Sequence, residues 1–396
     1  MNKDSWEVMQ LCNLCDSING LWKGKKEPFI KVGVIRNTNF TKDCKLDSFN
    51  IEYLEVEEKQ YSSRQLFFGD LILEKSGGGP KQPVGRIVPF EILEGDFSFS
   101  NFTSVLRIKD QRIIFYKFLY MFLLHFYRTG KTEKLQSNTT GIRNLDLKAY
   151  KSVSVPLPPL PIQKKIVKEL DTLSDIITKK KEQLAELDKL AQATFYDMFG
   201  DPIKNEKNWE IKELKYFGNV LTGNTPSRKK IEYYSEPYIE WIKTDNITES
   251  LIISQAKEYL SKEGYKISKS VNKGAILVTC IAGSLKSIGR AALTDREVCF
   301  NQQINAIQPS SLVNSIFLYW LIKITKSYIE EKTPGVLKFI LSKSKFENLI
   351  FIFPPISAQN QFAEKIETID QQKALINQSL TDAQLLFDYT MDKYFN

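Results

Sequence analysis

The chain is written twice. Ser5-Trp6-Glu7-Val8 returns as Asn208-Trp209-Glu210-Ile211, and Ile18-Asn19-Gly20 returns as Leu221-Thr222-Gly223 at the same offset of 203. Val34-Ile35-Arg36-Asn37-Thr38-Asn39-Phe40 resembles Trp241-Ile242-Lys243-Thr244-Asp245-Asn246-Ile247. Gly69-Asp70-Leu71-Ile72-Leu73 matches Gly274-Ala275-Ile276-Leu277-Val278, Val84-Gly85-Arg86 matches Ile288-Gly289-Arg290, and Phe118-Leu119-Tyr120 matches Phe317-Leu318-Tyr319. Last, Pro158-Pro159 with Gln163 matches Pro354-Pro355 with Gln359. The order is kept and the offset drifts by about ten residues, which chance does not preserve. The 396 residues are a tandem duplication, each copy just under 200 residues long.

Each copy has two parts. The first, residues 1–155 or 208–352, mixes short apolar runs such as Ile30 to Ile35, Asp70 to Leu73 and Ala275 to Thr279 with turn signals such as Ser76-Gly77-Gly78-Gly79-Pro80 and Ala282-Gly283-Ser284. This predicts an α+β domain with a curled sheet. The second part, 156–207 or 353–396, opens on a proline strip. Proline stops a helix from running in but is tolerated at a helix start, so a long helix is expected just after it.

That helix is tested by its period. Steps of four and three from Ile166 land on Leu170, Leu173, Ile177, Lys180, Leu184, Leu187, Ala191, Thr194 and Met198. The same register 196 residues on gives Phe362, Ile366, Ile369, Lys373, Ile376, Leu380, Ala383, Phe387, Thr390 and Tyr394. A period of 3.5 sustained over about five heptads is a coiled-coil seam. An ordinary amphipathic helix lying on its own domain is the plainer alternative. Two matching narrow stripes in one chain favour pairing of the two helices, with the single Lys in each seam setting register. Parallel and antiparallel pairing both remain open from the pattern. The antiparallel arrangement sets the domains at opposite ends of a rod and gives the molecule a pseudo-twofold axis.

Charge is segregated. The net charge of +8 divides as +5 over residues 1–155, 0 over 156–207, +6 over 208–352 and −3 over 353–396. The positive excess lies on the globular parts alone, which suits two basic heads on one polyanion, although solubility charge also gives mild positivity. One histidine cannot build a His-rich metal centre. Cys12-Asn13-Leu14-Cys15 has C-x-x-C spacing, but no second pair stands at zinc-ribbon distance, and reduced thiols of a cytosolic protein are the simpler reading of all five cysteines. Met1 to Trp6 shows no apolar signal core, and the longest apolar run, Ile113 to Tyr127, is broken by Lys117 and His125. It reads as a buried helix, too short to span a bilayer. No Gly-x-Ser-x-Gly elbow, His-x-x-x-His pair, dinucleotide fingerprint or Asn/Asp-Pro-Pro-aromatic amino-methyltransferase signature occurs; Phe353-Pro354-Pro355-Ile356 lacks the polar first residue. The chain reads as a recognition device without its own chemistry.

Candidate DNA contacts sit in loops. Lys75, Ser76, Gly77, Lys81 and Gln82 belong to a glycine-rich segment whose backbone NH groups could approach a phosphate, though the NTPase-loop ending is missing. Asn138, Thr139, Thr140 and Arg143 offer groups that read base edges, and Thr333 and Lys338 stand in the counterpart segment. Arg36, Asn37 and Asn39, with Lys243 and Asn246 opposite them in the repeat, extend the set, as do Arg86, Ser284, Lys286, Arg290, Asn301 and Gln302. For each, a capped turn or a sheet edge is the alternative.

The pattern resembles the specificity subunit of type I restriction–modification enzymes. Pro156-Leu157-Pro158-Pro159-Leu160-x-x-Gln163 is similar to that family's Pro-Leu-Pro-Pro-Leu-x-x-Gln stretch, and Phe195-Tyr196-Asp197-Met198-Phe199-Gly200 to its helix end. Thr222-Gly223-Asn224-Thr225-Pro226-Ser227 and Trp241 to Ile247 are similar to its domain openings. The second strip, Phe353-Pro354-Pro355-Ile356-Ser357-Ala358-Gln359, loses leucines, and Ile162 and Ala358 replace the Glu often found before the Gln. The resemblance covers essentially the whole chain. It implies an α+β fold of two pseudo-twofold-related α/β target-recognition domains joined by two long helices in an antiparallel coiled coil. Each domain would read half of a split DNA site, and the helices would act as ruler and as dock for two modification (methyltransferase) subunits. Those partners would use S-adenosylmethionine to methylate adenine, and two restriction subunits would use ATP and magnesium to translocate and cut. This chain would bind no cofactor itself and would work in the cytoplasm. Two other classes stay open at this point: a coiled-coil scaffold that does not bind DNA, and a DNA enzyme with an unrecognised site.

Overall fold

A computed structural model describes residues 5–22, 24, 26–78, 82–139 and 142–396. The chain forms two compact units, residues 1–180 with 379–396, and residues 181–378. The two are built alike.

In the first unit, β1 (Glu7–Gln10) pairs antiparallel with β12 (Ser154–Leu157), so the opening of the domain is tied to its proline strip. β2 (Cys15–Asn19), β9 (Thr103–Ile108), β5 (Leu71–Glu74) and β7 (Ile87–Pro89) form a four-stranded sheet in that order. β4 (Glu52–Glu57), β3 (Phe29–Ile35) and β8 (Phe97–Phe99) form a second sheet, and β10 (Gln136–Thr139), β11 (Ile142–Leu145) and β6 (Ser76–Gly78) a third. Side chains alternate across a strand, and the four-stranded sheet uses both faces. Leu71, Leu73 and Ile87 join the core under helix α1 (Tyr116–Arg128), while Ile72 and Val88 join Ile35, Phe97 and Phe99. The apolar run expected as a buried helix is α1, with Phe118 to His125 buried.

The second unit repeats the plan. β13 (Ile211–Glu213) pairs with β24 (Ile350–Ile352). β14 (Gly218–Thr222), β22 (Ile304–Pro309), β18 (Ile276–Thr279) and β20 (Ala291–Leu293) form the four-stranded sheet. β16 (Tyr259–Leu260), β15 (Ile239–Ile242), β21 (Val298–Phe300) and β17 (Ser270–Val271) form the second, and β19 (Ile281–Ala282) pairs with β23 (Phe339–Ile340). The repeated glycines have a shared cause. A side chain on Gly20 would lie 1.9 Å from the Ser100 carbonyl oxygen, and one on Gly223 2.3 Å from those of Phe300 and Asn301, so only glycine fits either crossing.

Helix α2 (Leu160–Phe199) and helix α4 (Ile356–Phe395) begin immediately after the prolines and are 40 residues each. The repeated glutamines explain why. Buried Gln163 accepts from the Phe115 NH (2.8 Å) and donates to the carbonyls of Ile113 and Pro158 (both 2.9 Å). Buried Gln359 accepts from the Asn314 NH (2.9 Å) and donates to those of Leu312 (3.3 Å) and Pro354 (2.8 Å). One amide thus locks each long helix to the loop before α1 or before α3 (Ser315–Ile324).

The expected seam is the buried stripe. Ile166, Leu170 and Ile177 share a core with Ala383 and Phe387 in the first unit, with Leu173 and Leu380 packed against it. Ala191 shares one with Phe362, Ile366 and Ile369 in the second, with Leu187 against it, while Leu184 and Ile376 are half-buried. The pairing is antiparallel. Going forward from Asp188 to Phe195 on α2 goes with going back from Lys373 to Phe362 on α4, through the Lys373–Asp188 ion pair and the Phe195–Phe362 ring contact at 5.4 Å. In the first unit the Tyr394 hydroxyl donates to Glu169 at 2.8 Å. The helix ends are aromatic anchors: Phe199 packs on Phe317 of α3 at 4.9 Å, and Phe395 on Phe118 of α1 at 5.4 Å.

Candidate nucleic-acid interface

Three stretches far apart in sequence meet at the end of β5, and three meet again at the end of β18. In the first domain the NH groups of Lys75 and Ser76 donate to the Phe102 carbonyl at 3.0 and 3.2 Å, and Leu145 NH donates to the Lys75 carbonyl at 2.8 Å. In the second, Cys280 and Ile281 donate to the Gln303 carbonyl at 2.9 and 3.1 Å, and Leu341 NH donates to that of Cys280 at 2.8 Å. The same backbone bonds therefore build the same surface twice. The stretches that meet there carry Lys75, Ser76, Gly77, Gln82 and Arg143 in one domain, and Ser284, Lys286, Arg290, Gln302 and Lys338 in the other, while Arg86, Asn301 and Thr333 are buried beneath them. Lys81 and Thr140 lie outside the described residues, and Asn138 and Thr139 are placed only by their backbone in β10. Residues 279–290, 301–303 and 333–341 hold Lys286, Arg290 and Lys338 and no carboxylate.

Several candidates hold the scaffold together, in the capped turns and sheet edges that were the alternative reading for each. Asn39 is buried, accepting from Arg36 NH (2.9 Å) and donating to the Asn50 carbonyl (2.9 Å). Asn246 repeats this with Lys243 NH (3.0 Å) and the Gln255 carbonyl (3.1 Å). Both close a short turn, as local side-chain bonding by asparagine does. The cations on those turns also have partners. Arg36 bridges Glu52 at 2.6 Å, and Lys243 and Arg228 share Glu258. The Lys243 hydrogen bond holds the Glu258 carboxyl below the usual carboxylate range, against its partial desolvation and with help from Arg228. Asn37 donates to the Ser76 carbonyl at 3.4 Å, joining its turn to the glycine-rich loop. Lys75 donates to Asn19 at 2.9 Å, and Ser76 to Asn144 at 2.5 Å. Buried Asn301 bonds Gln303 through both ends of its amide, buried Thr333 donates to the Ile329 carbonyl at 2.7 Å, and Thr225 donates to Gln302.

Arg86 is the clearest case. It is 8% exposed and grips Glu74 through Nε at 2.8 Å and Nη2 at 2.7 Å. Its remaining donors reach the carbonyls of Phe40 (3.0 Å) and Asn37 (3.2 Å). Glu74 was not among the sequence candidates. The signal was available, because extending the match Gly69–Leu73 with Gly274–Val278 by one residue sets Glu74 against Thr279. Ser284, Lys286 and Lys338 stay exposed and Arg290 half-exposed.

Other chemistries find little support. Among the described residues no group of three or more His, Cys, Asp or Glu could hold a metal ion, and no helix is long and apolar enough to cross a membrane. Burial pushes the Cys15 thiol up to about 12, so one half of the C-x-x-C pair is no thiolate at neutral pH.

A family model for the type I restriction modification DNA specificity domain matches the chain twice, over residues 3–189 and 206–384. The putative type I restriction enzyme MjaX specificity subunit of Methanocaldococcus jannaschii is 21% identical over 388 residues, covering 93% of this chain and 87% of that protein. The HindI specificity subunit of Haemophilus influenzae is 28% identical over 257 residues, covering 62% of this chain and 53% of that one. Among solved structures, a chain from a type I R-M system aligns over 99% of this chain and 97% of its own, with a TM-score of 0.62 at 15% identity. The type I S subunit from M. genitalium aligns over 99% and 96%, with a TM-score of 0.56 at 14% identity. These likenesses show the fold. With both copies of the repeat matched, the chain belongs to the type I restriction–modification DNA specificity family, a non-catalytic component that recognises DNA sequence while partner subunits carry the catalysis.

Proposed function

We propose that this chain reads a bipartite DNA target, residues 1–155 taking one half-site and residues 208–352 the other. The observation that carries the reading is the loop surface built twice by equivalent backbone bonds, each time with lysine and arginine around it. Basic groups neutralise phosphates and set the register, and a few side chains per domain read base edges. Helices α2 and α4, each about 60 Å at 1.5 Å per residue, set the unread gap between the half-sites.

Two modification subunits dock on the helices and methylate adenine with S-adenosylmethionine. Two restriction subunits translocate and cut unmodified DNA with ATP and magnesium. The chain itself holds no cofactor, and the complex works in the cytoplasm. Mapping methylated adenines in cells with and without this chain tests the reading: a split motif should vanish when the chain is removed. Lengthening both helices by one turn should change the gap and keep both half-site sequences; a changed half-site with an unchanged gap contradicts the ruler.

A further inference from the structure

Arg290 stands where Arg86 stands. Gly85 NH donates to the Glu74 carbonyl and Glu74 NH to that of Arg86, and in the second domain Gly289 NH donates to the Thr279 carbonyl and Thr279 NH to that of Arg290. In antiparallel strands, residues directly opposite point their side chains to one face. Glu74 therefore meets Arg86, and the place of the acid opposite Arg290 is taken by Thr279. Thr279 is buried, and its hydroxyl has no hydrogen-bond partner among the described residues. The two carbonyls that Arg86 reaches, on Asn37 and Phe40, correspond to those of Thr244 and Ile247. Both turns close alike, Phe40 NH donating to the Asn37 carbonyl and Ile247 NH to that of Thr244, yet no hydrogen bond or ion pair from the Arg290 guanidinium is found among the described residues. A guanidinium that is half-exposed, always charged and without an internal acid is a fork of donors facing outward. Lys286 lies on the same loop and Lys338 just before β23, while Lys326, whose side chain packs over Gly289, is already paired with Glu330.

We propose that Arg290 is a DNA-contact residue of the second domain with no counterpart in the first, because Glu74 consumes the equivalent arginine internally. This rests on the DNA-reading function above. The ligand is a pair of acceptor atoms on duplex DNA, either the two free oxygens of a backbone phosphate or the O6 and N7 edge of guanine, both of which suit a guanidinium fork.

The test measures binding of the full chain, assembled with its modification subunits, to duplexes carrying the mapped target across a salt series. Arg290→Gln is expected to weaken binding. With a phosphate ligand, the slope of log K against log salt falls by about 0.9, evenly across target variants. With a guanine edge, the slope holds and about fivefold to a hundredfold of preference at one base pair is lost. Thr279→Glu, which rebuilds the acid of the first domain, should reproduce the Arg290→Gln effect while leaving Arg290 in place. Arg86→Gln should leave slope and base preference unchanged in whatever protein remains folded. Unaltered slope and preference in a folded Arg290→Gln protein overturn the inference. Absence of DNA binding by the wild-type assembly overturns the underlying reading instead, so the two failures are distinguishable.

Discussion

The first domain closes an arginine into its core, and the second leaves the equivalent arginine open. The frame around the pair is shared: the four-stranded sheet, the capped turn carrying Asn39 or Asn246, and the loops tied to one carbonyl at Phe102 or Gln303. Directly opposite the arginine the domains differ, Glu74 against Thr279. Duplication fixes where a charge is held, while the residue opposite decides whether that charge is closed into the fold or left open.

The largest expected effect strikes this contrast directly. Glu74→Gln leaves the buried Arg86 guanidinium without its acid, and breaking a buried pair from one side costs about 3–5 kcal/mol. Denaturant unfolding should show that loss in the first unit only; no loss would mean that the pair does not hold the domain together. Next come the features in which the domains agree. Gln163→Leu and Gln359→Leu each strand one backbone NH and two carbonyls, and each should cost about 2–4 kcal/mol. Unequal losses would break the equivalence of the two helix starts. Thr279→Val removes a hydroxyl that has no hydrogen-bond partner among the described residues, so stability should shift by no more than about 1 kcal/mol, in the favourable direction if at all.

The smallest effect separates the units by pH. His125, the only histidine, sits in the first unit, where burial pushes its pKa below the usual value of 6.5 against the contact of its Nε2 with the accepting Asn396 Oδ1. The unfolded chain then takes up a proton that the folded chain resists. Stability contributed by the neutral ring is complete above about pH 6.5 and is lost as pH falls from there through the folded value. His125→Gln should flatten the difference between unfolding of the first unit at pH 7.5 and at pH 5.5. A pH response equal to that of wild type would place its origin elsewhere.

Much of the architecture was legible in the sequence. A seam repeats its signal every few residues, so Ile166 to Phe387 could be read off by counting, and proline marked where α2 and α4 start. The site was legible only as a neighbourhood. Glu74 and Arg86 are brought together by strand pairing across a hairpin, and nothing in the composition of a loop tells a neutralised arginine from an open one. The asparagines of the capped turns, Asn39 and Asn246, stayed open between two readings for a related reason, since the same amide that can read adenine can close a turn, and neither burial nor the turn's partners show in the sequence. The glutamines of the proline strips were visible as a motif, yet their partners lie near residues 113–115 and 312–314, beyond any local pattern.

If the globular parts are separate reading heads, their targets add. Residues 1–155 can be replaced with the corresponding segment of another member of the family, and methylated adenines mapped in cells carrying the hybrid. One half of the recognised motif should change, with the other half and the gap between them kept. A hybrid that alters both halves together, or moves the gap while the helices are untouched, would contradict the account.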